Sequence, residues 1–222
     1  MDKIDRFRKI IYWGFRGLLI ATAIVALCLG HFKELIFLGF TLFLTFLPHI
    51  VEEKIHLDYP SELEILILLF IIGSIYLGEL HGYYTKYVWW DVVLHSMSAM
   101  IIAGIGFTIV FILNKSKRIA FKLSPGFVCL FAFCFAVSIG AIWEIFEFSM
   151  DQLFGLNMQR SGLMDTMSDL IVDCLGALIF SVVGYFHIKG EIGMFQRLER
   201  KFFKLNPELK KLFLGDGDEQ TI

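Results

Sequence analysis

The sequence predicts an all-α polytopic integral membrane protein, a helical bundle of about six transmembrane helices with both termini cytoplasmic. Hydrophobic residues make up 57% of its 222 residues and charged residues only 19%, a balance typical of membrane-embedded chains rather than soluble domains. Six apolar runs approach the length that a helix needs to cross a bilayer, about 20 residues. They cover residues 10–29, 35–51, 63–80, 90–113, 125–148 and 167–188.

The distribution of lysine and arginine predicts the orientation of these spans. With the N-terminus inside, sixteen of these residues fall in cytoplasmic segments, and only Lys33, Lys86 and Arg160 fall in outer loops. This positive-inside bias places both termini in the cytoplasm. We therefore expect residues 1–188 to form a single transmembrane domain, 189–214 a cytoplasmic amphipathic tail, and 215–222 a disordered end.

Acidic residues gather at the ends of the last three predicted spans, all of them on the outer side. A carboxylate in hydrocarbon costs several kcal/mol, so each one needs a functional or structural reason. Spacings of three or four residues place the members of each group on one helix face, which predicts a polar pocket between spans three to six. The groups are Asp91 and His95, then Glu144, Glu147 and Asp151, then Asp165, Asp169 and Asp173.

This concentration of carboxylates with an imidazole predicts a divalent metal site, because such ligands suit Mg²⁺, Mn²⁺ or Zn²⁺. The predicted metal ligands are Asp91, His95, Glu144, Glu147, Asp151, Asp165, Asp169 and Asp173. Among them, Glu147, Asp169 and His95 are the predicted catalytic residues of a metal-dependent hydrolase or transferase. We expect it to act on a membrane lipid or lipid-linked head group of the envelope. The predicted substrate-binding residues are Arg160, Gln159, Glu79 and His81.

The same carboxylates admit other functions. A proton- or cation-coupled transporter would use them as a relay, and a non-catalytic protein would bind a cell-wall precursor without turnover. A purely structural role is also open, since Asp165 can cap the last span and polar side chains can bond across helices. The inner halves of spans four to six are nearly free of charge, which argues against a continuous ion path. No nucleic-acid partner is expected.

Two segments resemble a known family. The run Trp143-Glu-Ile-Phe-Glu-Phe148 and the run Gly162-Leu-Met-Asp-Thr-Met-Ser-Asp-Leu170 look like the signature of the YjdF-like family of bacterial inner-membrane proteins. The spacing Asp91-x-x-x-His95 is similar to that family's earlier motif. More distantly, the order of polar residues is similar to VanZ-like proteins, in which Asn usually stands at the position of Asp173. The resemblance implies an inner-membrane location and important acidic motifs, but no particular reaction.

Overall fold

The computed structural model describes residues 3–115, 122–190 and 196–214, and all regular structure in these ranges is helical. Six helical stretches are long and apolar enough to cross a membrane, which confirms the predicted all-α fold with about six spans. The cytoplasmic position of both termini stays a prediction. The end predicted to be disordered, 215–222, lies outside the described residues. The spans are Lys3–Leu29, Phe32–Lys54, Ser61–Leu80, Trp89–Asn114, Pro125–Phe154 and Leu163–Ile188.

The chain divides into two compact units. One comprises Met1–Trp90 with Lys201–Asn206, and the other comprises Asp91–Arg200 with Pro207–Ile222. Helices of the first unit are α1 (Lys3–Leu29), α2 (Phe32–Leu44), α3 (Leu47–Ile55), α4 (Ser61–Ile71) with its π-helical continuation Ile72–Leu80, and α5 (Tyr83–Lys86). The remaining helices are α6 (Trp89–Lys115), α7 (Pro125–Phe154), α8 (Leu163–Ile188), α9 (Gln196–Leu205) and α10 (Pro207–Leu214).

In the first unit, the second span is broken between α2 and α3. Pro48 stands in the first turn of α3, where its missing N–H is tolerated. The carbonyl of Thr45, at the break, accepts a 2.8 Å hydrogen bond from Nη2 of Arg16, and the Thr45 hydroxyl accepts a second bond from Nε of Arg16 at 3.0 Å. The ring of Phe46 lies 3.8 Å from the same guanidinium. These contacts give the charge of Arg16 polar and aromatic partners inside a span.

The end of α9 belongs to the first unit, and it packs there against the segment that enters α4. Phe203 is fully buried. The Asn206 amide accepts a hydrogen bond from the backbone N–H of Asp58 and donates one to the carbonyl of Asp58, both at 2.8 Å. Lys201 pairs with Glu62 at 3.0 Å. This part of the predicted amphipathic tail therefore packs against other residues of its own unit.

In the second unit, α6, α7 and α8 pack through small side chains. Ala103, Ala136 and Ala177 form a shared cluster and are each at most 1% exposed. Small residues at helix interfaces let backbones approach closely, which is how membrane helices gain van der Waals contact. Chain connectivity makes α6 and α8 parallel and α7 antiparallel to both, so the start of α6, the end of α7 and the start of α8 lie at one end of the unit.

Candidate metal centre

Two pairs of polar side chains at this end come from the N-terminal halves of two parallel helices. Asp91 and His95 are one turn apart on α6, and Asp169 and Asp173 are one turn apart on α8. Each pair shares a helix face because its members are four residues apart. Of these four residues, only Asp91 lies in a first helical turn, where the positive end of the helix dipole favours negative charge.

Glycine residues bring the three helices close together beside these pairs. A Cβ at Gly176 of α8 would lie 2.9 Å from the backbone oxygen of Ser96 and 3.1 Å from Cβ of Ala99, both on α6. A Cβ at Gly140 of α7 would overlap the Asp173 carboxylate. Glycine at these two positions therefore permits the approach that buries the polar cluster.

Three side chains of the cluster converge, namely those of Asp91, His95 and Asp169. Nε2 of His95 lies 3.8 Å from Oδ1 of Asp91 and 4.0 Å from Oδ2 of Asp169. One potential ligand atom from each residue lies within 4.8 Å of the other two. His95 is 9% exposed and Asp169 3%, while Asp91 is half-buried. We call these three residues the trio.

Asp173 contacts His95 from the other side of the ring. Its Oδ1 lies 3.3 Å from Nδ1 of His95, and the residue is 2% exposed. The imidazole is thus flanked by carboxylates at both ring nitrogens. Asp173 contacts the nitrogen that faces away from the other members of the trio.

Glu144 is the most unusual carboxylate of the cluster. It is 4% exposed, and neither of its oxygens makes a hydrogen bond of normal geometry to any described residue, although the Thr166 hydroxyl is nearby. The charged groups that act on it include His95, Asp165 and Asp173. A buried carboxylate without hydrogen bonds is costly, so Glu144 indicates that the cluster accommodates a further positive charge or proton.

Glu147 lies one helical turn from Glu144 and has a local partner. Its Oε1 accepts a 2.9 Å hydrogen bond from the indole N–H of Trp143, four residues earlier on α7. Its charge acts on Glu144, His95 and Asp91. Glu147 thus lies near the cluster with its orientation set by Trp143, and its predicted role as a metal ligand and catalytic residue stays a prediction.

Asp151 and Asp165 organise the loop between α7 and α8. The two oxygens of Asp151 accept hydrogen bonds from the backbone N–H groups of Met158, at 2.7 Å, and Gln159, at 2.9 Å. Oδ2 of Asp165 accepts one from the N–H of Arg160 at 3.1 Å. Backbone donors therefore occupy oxygens of both residues, and their predicted role as metal ligands stays a prediction.

The same loop carries the predicted substrate-binding residues Gln159 and Arg160. The side-chain amide of Gln159 donates a 2.5 Å hydrogen bond to the hydroxyl of Thr166. The charge of Arg160 lies close enough to Asp91 to interact with it. Arg160 is also the sole lysine or arginine of the sequence between Lys122 and Lys189. The loop thus holds one cation beside the trio.

Removing the Asp151 carboxylate should release this loop. Each lost hydrogen bond is worth about 1 kcal/mol, so Asp151→Ala should raise the population of open loop roughly tenfold or more. Trypsin cleavage after Arg160, followed by mass spectrometry of the fragments in detergent, measures that population. Gln152→Ala, at the exposed neighbouring position, should leave the cleavage rate unchanged. Equal rates in wild type and Asp151→Ala would contradict the assigned role of Asp151.

The other two predicted substrate-binding residues, Glu79 and His81, belong to the first unit. Glu79 is exposed near the end of the π-helical segment. Nδ1 of His81 is 2.8 Å from the carbonyl oxygen of Tyr76, and the His81 ring lies 4.5 Å from the Tyr76 ring. The side chain of His81 is therefore held by its own helix end, and the predicted substrate role of both residues remains a prediction.

Two residues of the cluster are absent from the site predicted from sequence. Gly140 lies one turn before Glu144, in the series Ala132, Ala136, Gly140 and Glu144, which are all buried. This four-residue spacing was the signal for a helix face that leads to the cluster. Thr166 follows Asp165 and binds Gln159, but a lone threonine at a helix start gives no sequence signal beyond capping.

Comparison with known proteins yields two matches. Residues 11–190 match the family described as "Predicted membrane protein (DUF2238)". An "Uncharacterized protein" of Thermotoga maritima is 31% identical over 140 residues, which is 63% of this chain and 70% of that protein. No solved structure matches significantly. The resemblance to VanZ-like proteins finds no support among these matches, and the one to YjdF-like proteins stays a prediction.

Proposed function

We propose that this chain, which belongs to the DUF2238 family of predicted membrane proteins, binds a divalent cation through Asp91, His95 and Asp169. The observation that carries the proposal is the convergence of one potential ligand atom from each residue within 4.8 Å of the others. The buried carboxylate of Glu144, without a hydrogen bond among the described residues, independently supports it. A cation in the trio would offset the charges that burial makes costly.

The distances suit a small divalent ion. Ligand bonds to Mg²⁺, Mn²⁺ or Zn²⁺ are about 2.0 to 2.2 Å long, so two ligand atoms on one ion lie no more than about 4.4 Å apart. The distances from His95 Nε2, 3.8 Å to Asp91 and 4.0 Å to Asp169, are already within this limit. The imidazole favours Mn²⁺ or Zn²⁺ over Mg²⁺, which prefers oxygen ligands and water.

We further propose that this site acts on the head group of an envelope lipid or lipid-linked molecule. A bound divalent cation would supply Lewis acidity toward a phosphoryl or carbonyl oxygen. Glu147, oriented by Trp143, is suited to accept or donate a proton, and Arg160 is suited to contact an anionic part of the substrate. The resemblance to YjdF-like proteins supports a bacterial inner-membrane location, and the positive-inside bias supports an orientation with both termini cytoplasmic and the trio near the outer leaflet.

Packing beyond the cluster favours a fixed site over a transport path. Below His95 and Asp173, the interface of α6, α7 and α8 is filled by Ala103, Ala136 and Ala177, which are at most 1% exposed. Further along, Gly184 of α8 lies against the ring of Phe107. An ion that passed through this unit would have to separate these contacts, so the coupled transporter is the weaker candidate.

Elemental mass spectrometry of detergent-purified protein tests the cation site. Wild type dialysed in turn against Mn²⁺, Zn²⁺ and Mg²⁺ should retain about one equivalent of at least one ion, and Asp169→Asn should retain less than about a tenth of that. Asp58→Asn, which changes an exposed aspartate of the first unit, should match wild type. Wild type that retains none of the three ions would refute the proposal.

The lipid step has its own test. Metal-loaded wild type and the Asp169→Asn variant are each placed in liposomes that contain phospholipid and polyprenyl phosphate. Mass spectrometry of the lipids then measures head-group release or transfer, which we expect for wild type and not for the variant. Product from wild type alone supports chemistry on lipids. Intact lipids with a metal-loaded wild type would refute the proposed action on lipids and leave the proposed cation site standing.

A further inference from the structure

The contact between Asp173 and His95 bears on which ring nitrogen of the imidazole carries the proton. A neutral imidazole has one N–H donor and one nitrogen that can act as acceptor or metal ligand. Oδ1 of Asp173 lies 3.3 Å from Nδ1, whereas Nε2 faces Asp91 at 3.8 Å and Asp169 at 4.0 Å. A carboxylate at Nδ1 stabilises the tautomer with the proton on Nδ1, because a carboxylate is an acceptor. The lone pair of Nε2 then points toward the other members of the trio.

The position of Asp173 is itself fixed by the packing of α7. The residue is 2% exposed, and Gly140 leaves the space that its carboxylate occupies, since a Cβ at Gly140 would overlap the Asp173 oxygen Oδ2. On the α6 side, Gly176 lies against the Ser96 backbone three residues further along α8. The Asp173 side chain thus lies between two close helix contacts and has little freedom to turn away from His95.

We infer that Asp173 is a positioning residue that holds His95 in the Nδ1–H tautomer and thereby prepares Nε2 to bind the cation. The inference rests on the proposed cation site for its functional meaning, and it removes Asp173 from the set of direct ligands. Carboxylates that accept a hydrogen bond from a metal-binding histidine fix the ring and raise its basicity, and their loss typically weakens metal binding 10- to 100-fold. Gly140 belongs to the same arrangement because it makes room for the carboxylate.

The substitution Asp173→Asn, in protein labelled with ¹⁵N-histidine, tests this inference with two readouts. NMR of the metal-free protein, at a pH alkaline enough to make the His95 ring neutral, reports the tautomer directly, and His95→Gln identifies the His95 signals among the 6 histidines. Wild type should show the proton on Nδ1, and Asp173→Asn should shift the tautomer toward Nε2–H, because the amide can donate to Nδ1. Titration with Mn²⁺, followed by electron paramagnetic resonance, should show about 10- to 100-fold weaker binding in the variant.

A control variant separates positioning from general damage to the helix packing. Ser181 lies on the same face of α8, eight residues after Asp173, and is also buried. Ser181→Ala should therefore keep both the wild-type tautomer and the wild-type Mn²⁺ affinity.

The outcomes distinguish this inference from the proposed function. If wild type binds Mn²⁺ and Asp173→Asn binds it equally tightly with an unchanged tautomer, the positioning role is refuted and the cation site stands. If wild type binds no metal but Asp173→Asn still switches the tautomer, the proposed function fails while the control of His95 by Asp173 is upheld. An Nε2–H tautomer in metal-free wild type would refute the inference directly.

Discussion

Mn²⁺ added to metal-free wild type should raise its midpoint of thermal unfolding, and the same addition should leave His95→Ala unchanged. An ion that binds only the folded state stabilises it by about 2.7 kcal/mol at 100 times its dissociation constant. For a chain of this size that corresponds to roughly 5 to 10 °C. His95 supplies a ligand atom between Asp91 and Asp169, and without it two aspartates would have to hold the ion alone. Differential scanning fluorimetry in detergent, with and without a chelator, measures the shift.

The chain offers a matched control for this experiment. His187 is also buried in the second unit, but it lies at the other end of α8, with Nε2 3.9 Å from Oε2 of Glu199. His187→Ala should have a lower midpoint without metal but should keep the full response to Mn²⁺. An equal response in His95→Ala and wild type would show that the ion binds elsewhere, and a response lost in both variants would show a loss of fold.

The fold was predictable from the sequence because the bilayer imposes a simple rule on length and polarity. Six apolar runs gave six spans, and the helices exceed several of those runs at their ends. For example, α7 continues from 148 to Phe154. The extension adds Asp151 to the helix and lets it reach the loop amides. Apolar composition alone could not set that boundary, because a helix end depends on how the following loop satisfies its backbone groups.

The grouping of acidic residues was predictable from helical spacing, but their separate roles were not. Spacing shows which residues share a face of one helix, whereas the rotation of each helix about its axis decides which faces meet. Asp169 therefore joins Asp91 and His95, while Asp165, four residues earlier on the same helix, binds the N–H of Arg160. The contribution of Gly140 was equally hidden, since its effect depends on the distance between α7 and Asp173.

The close contact of α6 and α8 beside the trio gives a second large effect. Gly176→Ala should destabilise the protein because the new Cβ would lie 2.9 Å from the backbone oxygen of Ser96 and 3.1 Å from Cβ of Ala99. Backbone atoms cannot rotate away as a flexible side chain can, so α6 and α8 would have to separate. Overpacking of this kind typically costs about 1 to 3 kcal/mol. Thermal unfolding and chemical denaturation in detergent measure the loss.

The separation of α6 and α8 in Gly176→Ala should also weaken Mn²⁺ binding, since Asp91 and His95 lie on one of these helices and Asp169 on the other. Gly126→Ala is the matched control, because Gly126 lies in α7 of the same unit and an added Cβ would meet nothing within 4 Å. That substitution should be neutral or slightly stabilising, since alanine favours the helix over glycine by about 0.5 to 1 kcal/mol. Equal unfolding midpoints for the two variants would mean that α6 and α8 are not in direct contact at Gly176. In that case the trio could not be held together by this interface.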